Sequence, residues 1–203
     1  MLVIADYGVG NLASVKNMLK KAGFESVLAS DAVTIESASK IILPGIGAFD
    51  HCMQQFNASG LREVVTRKVM EDKTPLLGIC VGLQMLMENS EEGIEPGLGW
   101  FAGKTIKFKK DKIGELKIPH MGWTNVRLEK KSDLTENLGD QPRFYFVHSY
   151  HVQPENKSDE LLSANYGYDF TAAISRDNIY GAQFHPEKSH KYGMKILENF
   201  ARL

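Results

Sequence analysis

Leu76-Leu77-Gly78-Ile79-Cys80-Val81-Gly82-Leu83-Gln84-Met85-Leu86-Met87 is the stretch whose reading decides the fold. An apolar run introduced by Pro75 leads to a reactive side chain flanked by glycines two residues away on each side, and Leu83–Met87 continues as a short helical pattern. That order predicts strand, tight turn, helix. The spacing matches the nucleophile elbow G-x-S-x-G, with a thiol replacing the hydroxyl. An elbow strains the backbone at the nucleophile and draws strand and helix together, so side chains at positions 78 and 82 would collide with neighbouring structure. It also sets Cys80 at a helix N-terminus, where unpaired N–H groups and the helix dipole favour thiolate. A lone cysteine after a strand is otherwise a small core residue. The paired glycines tip the reading toward a nucleophile.

Upstream, Leu2–Ala5 is a short apolar run that ends in Asp6-Tyr7-Gly8-Val9-Gly10-Asn11, and a helical pattern follows with Leu12, Val15, Leu19 and Ala22 on one face and Gly23 as its cap. The loop lacks the third glycine and the Gly-Lys-Ser/Thr ending of nucleotide-binding loops, so a nucleotide site is rejected. Ser26–Ala29 and Lys40–Leu43 read as further strands, the latter running into Pro44-Gly45-Ile46-Gly47, with helices at about 48–57 and 61–71. Strands alternating with helices imply a three-layer α/β fold whose open, mostly parallel sheet carries helices on both faces. From Gly99 onward, β-branched and aromatic runs at 105–108, 125–128 and 143–147 predict added antiparallel strands in the C-terminal half. Ile179–Phe184 is a last strand ending in His185-Pro186-Glu187, and a closing helix at 192–203 carries Met194, Leu197 and Phe200 inward. No linker divides the 203 residues, which suit a single domain.

Composition narrows the partners. A formal net charge of −1 gives no electrostatic footprint for nucleic acid. The basic run Lys107-Phe108-Lys109-Lys110 reads as a solvated strand or hairpin tip. With two cysteines, Cys52 and Cys80, neither a disulfide framework nor a metal site is expected, and Cys52 reads as an inert helix-face residue. The chain opens into a strand rather than a signal peptide and has no run of membrane-spanning length, so a cytoplasmic protein without membrane contact is expected.

In parallel sheets the site lies beyond the carboxyl ends of the strands. Asn11, the Pro44–Gly47 turn, Cys80 and His185 all follow strand ends, so the fold would gather them on one rim. A nucleophilic thiol needs a base, and the base an orienting group. His185 is the best candidate base, because Glu187 lies two residues on across a stiffening proline; His148, with no carboxylate close behind it, is the runner-up. An oxyanion would be met by the Val81 N–H and by donors from Gly45, Ile46 and Gly47.

With Gly78–Gly82, His185-Pro186-Glu187 and Pro44–Gly47 in hand, the chain resembles a class I glutamine amidotransferase of the Cys-His-Glu type. Asp6–Leu12, Pro119-His120-Met121-Gly122-Trp123, Tyr145–Tyr150 and His185–Ser189 extend the resemblance along the whole chain to the glutaminase subunits of imidazole glycerol phosphate synthases. The resemblance implies hydrolysis of glutamine by Cys80, His185 and Glu187 without a cofactor. It further implies that the ammonia passes to a (β/α)₈-barrel synthase subunit, in a heterodimer, making imidazole glycerol phosphate and an aminoimidazole carboxamide ribotide for histidine biosynthesis. It assigns Gln84, Glu92, His148, Ser149 and Tyr150 to glutamine binding and Asn11, Tyr145 and Lys188 to the partner interface. Two features depart from that pattern. Thr124 follows Trp123 where the family usually has asparagine, and 166–170 with 188–193 resemble relatives that deliver ammonia to a sugar acid in surface-polysaccharide synthesis. A stand-alone cysteine peptidase or esterase and a non-catalytic module are the competing classes; peptide cleavage by the purified chain would favour the peptidase.

Overall fold

The computed structural model describes residues 1–203. In chain order its elements are β1 (Leu2–Ala5), α1 (Leu12–Lys21), β2 (Ser26–Ala29), α2 (Ala32–Glu36), β3 (Lys40–Gly45), α3 (Phe49–Ala58), α4 (Leu61–Met70), β4 (Leu76–Cys80) and α5 (Val81–Gln84). They are followed by β5 (Met87–Ser90), β6 (Phe101–Lys107), α6 (Lys110–Ile113), β7 (His120–Leu128), β8 (Arg143–His148), β9 (Tyr150–Pro154), β10 (Glu160–Asn165), β11 (Asp169–Arg176), β12 (Ile179–Ala182) and α7 (His190–Arg202).

Nine strands form one mixed sheet in the order β2-β1-β3-β4-β12-β11-β10-β7-β8, and β5-β6-β9 form a small second sheet. The run β2-β1-β3-β4-β12 is parallel. Beyond β12 every pairing is antiparallel. The parallel strands are apolar because both faces are covered: β1, β4 and nearly all of β3 are buried throughout. Helices α1 and α7 pack together, as do α2 with α4 and α4 with α3, giving the helical layers expected of the α/β fold. Gly23, at φ +90°, ends α1: its N–H and that of Phe24 take the carbonyls of Lys20 and Leu19. No helix is long and apolar enough to cross a membrane.

Three readings of the sequence change. The helix after Cys80 is a single turn, Val81–Gln84, and does not reach Met87. The reason is tertiary: Leu98, Trp100 and Gly99 donate their N–H groups to the carbonyls of Met85, Leu86 and Met87, so those carbonyls leave the helix for the second sheet. The dipole behind Cys80 is accordingly that of one turn. In the closing helix, Ile196, Leu197 and Phe200 are buried while Met194 is only half-buried, because the buried face runs through Gly193, Ile196, Leu197 and Phe200 and Met194 stands at its edge. The basic run at 107–110 ends β6 and starts the one-turn α6, and its Phe108 is buried.

Candidate active site

The elbow forms as its spacing predicts. Cys80 sits at φ +56°, ψ −111°, a region that costs a non-glycine residue roughly 1–3 kcal/mol and persists only where the surroundings enforce it. What enforces it is backbone against backbone. A Cβ on Gly82 would lie 2.0 Å from the Leu43 oxygen, and one on Gly78 would lie 2.7 Å from the Gly82 oxygen. Residue 45 sits opposite Cys80 in the β3–β4 register, and a Cβ there would lie 2.5 Å from the Gly82 nitrogen. Three glycines therefore let β3, β4 and α5 meet at main-chain distance.

The candidate base, His185, arrives on the neighbouring strand. In β12, Gly181 and Ala182 pair with Gly78 and Ile79, so the chain emerges beside the elbow and reaches His185 three residues later. His185 is 3% exposed, and its Nδ1 lies 2.9 Å from Glu187 Oε1. Burial opposes a charge on this ring, but hydrogen bonds and charge interactions with Cys80 and Glu187 outweigh it and raise its pKa to about 10. The second Glu187 oxygen is buried without a partner, which leaves the imidazolium as the counter-charge of that carboxylate. Three hydrogen bonds that the sequence does not reveal hold His185 in place. Ser189, fully buried, donates to the His185 carbonyl at 2.7 Å and accepts the Tyr145 N–H at 2.9 Å. The His185 N–H in turn donates to the Tyr145 carbonyl at 3.0 Å.

A cavity of about 380 Å³ opens over Cys80 and His185. Its lining includes Ile46, Gly47 and Val81, Gln84 and Glu92, and His148, Ser149 and Tyr150, together with exposed Lys188. Gly45 corrects one expectation: it lies beneath the cavity, where it gives Gly82 room, and is not part of its lining. Asn11 and Tyr145 also stay outside the lining, while exposed Lys188 combines a place at the rim with a place on the surface. Gln84 spends its amide hydrogens inside the protein, on the Tyr150 carbonyl at 3.1 Å and on Gln183 Oε1 at 3.2 Å. Gln183 was not singled out in the sequence. It is fully buried beneath the thiol, with its Nε2 3.9 Å from Cys80 Sγ, and its signal was a lone amide inside an apolar strand. Glu92 uses Oε2 to accept the Phe49 N–H at 2.9 Å, which ties the start of α3 to the cavity wall.

His148 belongs to another network. Its Nδ1 donates to the Tyr150 carbonyl at 2.7 Å, so its Nε2 accepts from His120 Nδ1 at 3.0 Å, and His120 Nε2 accepts in turn from the Thr124 hydroxyl at 2.8 Å. Every ring in this chain is neutral with a fixed tautomer. Burial holds His148 well below the ordinary histidine value and lowers His120 to about 4. The structure brings the carboxylate to His185 alone.

A family model described as glutamine amidotransferase class-I matches residues 3–203. The chain belongs to the class-I glutamine amidotransferase family. Within it, the chain is 50% identical over 202 residues to imidazole glycerol phosphate synthase subunit HisH 2 of Methanococcus maripaludis, covering 100% of this chain and 99% of that one. It is also 50% identical to the protein of the same name from Pseudomonas aeruginosa, with 100% of both chains covered. Among solved structures, a glutamine amidotransferase superposes with a TM-score of 0.74 at 18% identity over 99% of both chains. PurLQS from Thermotoga maritima superposes at 0.73 and 19%, covering 99% of this chain and 97% of that one. These distant structures share the amidotransferase fold.

Proposed function

We propose that the chain hydrolyses glutamine to glutamate and ammonia at Cys80, as the glutaminase subunit of an imidazole glycerol phosphate synthase serving histidine biosynthesis. The observation that carries this reading is the His185–Glu187 pair, delivered by β12 to the rim of a cavity floored by a strained thiol. His185, whose raised pKa keeps the proton on its ring, holds the proton given up by the thiol, and Cys80 Sγ attacks the side-chain carboxamide carbon of glutamine. The oxyanion is met by the Val81 N–H and by the Ile46 and Gly47 N–H groups, neither of which has a hydrogen-bond partner in the chain. His185 then protonates the departing nitrogen, ammonia leaves, and the same ring activates the water that opens the γ-glutamyl thioester. Glu92 is placed for the α-ammonium of the substrate and the Ser149–Tyr150 segment for its α-carboxylate. Gln84 keeps that segment in position through the Tyr150 carbonyl.

The partner is a (β/α)₈-barrel synthase subunit docked on the same rim. Ile46, Met121 and Trp123 stand 43%, 62% and 42% exposed beside Lys188 and Tyr145, an apolar set suited to burial against another protein. Ammonia in bulk water near neutral pH becomes ammonium, which is no nucleophile, so release beneath a docked partner preserves the amine. A second acceptor, a sugar acid of surface polysaccharide, rests on the resemblance carried by residues 166–170 and 188–193.

Glutamate and ammonia release, measured on the chain alone and with its co-purifying synthase subunit and that subunit's ligand, tests the reading. The isolated chain is expected to be slow and the complex faster by about a hundredfold, which needs about 2.7 kcal/mol of differential stabilisation. Hydrolysis by Cys80→Ala at the parent rate, or substantial peptide cleavage, would overturn it. Identifying the acceptor of the co-purifying subunit decides between the two pathways.

A further inference from the structure

Beneath the Pro44–Gly47 turn lie two buried polar side chains that the hydrolytic steps do not use. Tyr7, 3% exposed, donates its hydroxyl to the Pro44 carbonyl, and Cys52, fully buried in α3, donates its thiol to the Ile46 carbonyl at 3.3 Å. The two side chains touch, and burial pushes the Cys52 thiol up to about 11, so it remains a protonated donor at any working pH. The Tyr7 ring is wedged edge-on against Phe56 of α3, with centroids 5.4 Å apart, and its hydroxyl also lies 3.6 Å from Met85 Sδ behind the elbow. Each side chain owns one polar hydrogen, and each delivers it to a carbonyl of the turn.

A trans peptide points its N–H opposite its carbonyl. With the Ile46 carbonyl held toward α3, the Gly47 N–H is aimed away from α3, and Gly47 lines the cavity over Cys80. If the carbonyl were released it could swing round and set an oxygen, rather than a donor, against the developing oxyanion. We propose that Cys52 and Tyr7 are positioning residues: Cys52 clamps the Ile46 carbonyl so that Gly47 presents its N–H to the transition state of glutamine hydrolysis, and Tyr7, holding the Pro44 carbonyl, anchors the strand end from which that turn springs. The clamp rests on the reading of Cys80 as the nucleophile. It assigns a role to Cys52, which as a sequence feature reads only as an inert helix-face residue.

The test is steady-state glutamine hydrolysis by Tyr7→Phe, Cys52→Ala and Cys52→Ser in the complex with the co-purifying synthase subunit. An oxyanion donor that is misaimed part of the time acts after substrate binding, so Tyr7→Phe and Cys52→Ala should each lower kcat about tenfold with KM for glutamine unchanged within about twofold. Cys52→Ser, which keeps a donor, should recover most of the loss. Alkylation of Cys80 by iodoacetamide, followed on its own peptide, should keep the parent rate, because the thiol and His185 are untouched. Parent kcat in both Tyr7→Phe and Cys52→Ala overturns the clamp, as does Cys52→Ser behaving like Cys52→Ala or a fall in melting temperature alone. Tyr7→Phe changes no ring volume, so its result stands even if a Cys52 variant folds poorly. Hydrolysis surviving in Cys80→Ala would instead overturn the nucleophile assignment itself; an inactive Cys80→Ala beside fully active clamp variants overturns only the clamp.

Discussion

The two halves of the large sheet build the cavity by opposite means. On the parallel side, β3, β4 and α5 place Cys80 through main-chain proximity, with Gly45, Gly78 and Gly82 leaving no room for a Cβ. On the antiparallel side, β7 and β8 place the far wall through side chains. There His120 and His148 are hydrogen-bonded across the strands and packed among Phe108, Phe146 and Phe170. The first arrangement is intolerant of added volume and indifferent to pH. The second tolerates changes of shape better, but it depends on imidazoles staying neutral where water cannot reach them.

The largest effect expected from this contrast follows substitution on the parallel side. Gly82→Ala should cost at least about 3 kcal/mol, or roughly 6–12 °C in melting temperature, because the clash is with main-chain oxygen that cannot step aside. A thermal scan showing parent stability would mean that the close approach is not obligatory. Next comes Glu187→Gln, which should lower kcat by about 10² or more. The Glu187 carboxylate helps to raise the His185 pKa, so its neutralisation lowers that value from about 10 and the alkaline limb of the kcat/KM profile should move to lower pH. An unmoved limb would show that Cys80 alone sets it.

On the antiparallel side, burial lowers His120 to about 4 and holds His148 well below its ordinary value, and it lowers His151, on β9 of the small sheet packed against β11, to about 4. Between pH 6.5 and about 4 the unfolded chain therefore binds protons that the folded one refuses. Stability falls as pH falls, by up to about 4 kcal/mol per pH unit if all three contribute, at roughly 1.4 kcal/mol per proton. His185 has the opposite sign: its stabilising contribution is complete below about pH 6.5 and is lost as pH rises through about 10. Urea titrations from pH 7.5 to 4 should show the acid loss, and His120→Gln should flatten it; a flat parent profile would mean that these rings are not buried neutral. The smallest effect on the fold is expected at the rim. Trp123→Ala, at a half-exposed side chain that stacks on His190, faces Arg143 and meets the Tyr145 ring edge-on, should change stability by no more than about 0.5 kcal/mol while weakening activation by the synthase subunit. Equal activation would move the docking face elsewhere.

The same division explains what could be read from the sequence. Glycine spacing and alternating strands and helices are local signals, so the elbow, the parallel strands and the His185–Glu187 pair were legible. The strands at 150–154, 160–165 and 169–176 were not singled out, since their pairing is decided across the sheet. The length of α5 was misjudged because its end is set by hydrogen bonds from residues 98–100. Gln183, Ser189, Tyr7 and Cys52 each look like an ordinary residue in its own segment. Their meaning comes only from what the other segments bring next to them.

Strand β12 lies in the middle of the sheet, between β4 and β11, yet it is the twelfth of the twelve strands in chain order. During synthesis the sheet has a vacant slot beside the elbow until β12 has emerged, and His185 enters only when that slot is filled. The thiol and its base are thus kept apart by the order of translation. A nascent chain that has not yet reached β12 carries the Gly78–Gly82 sequence without His185 to set beside it.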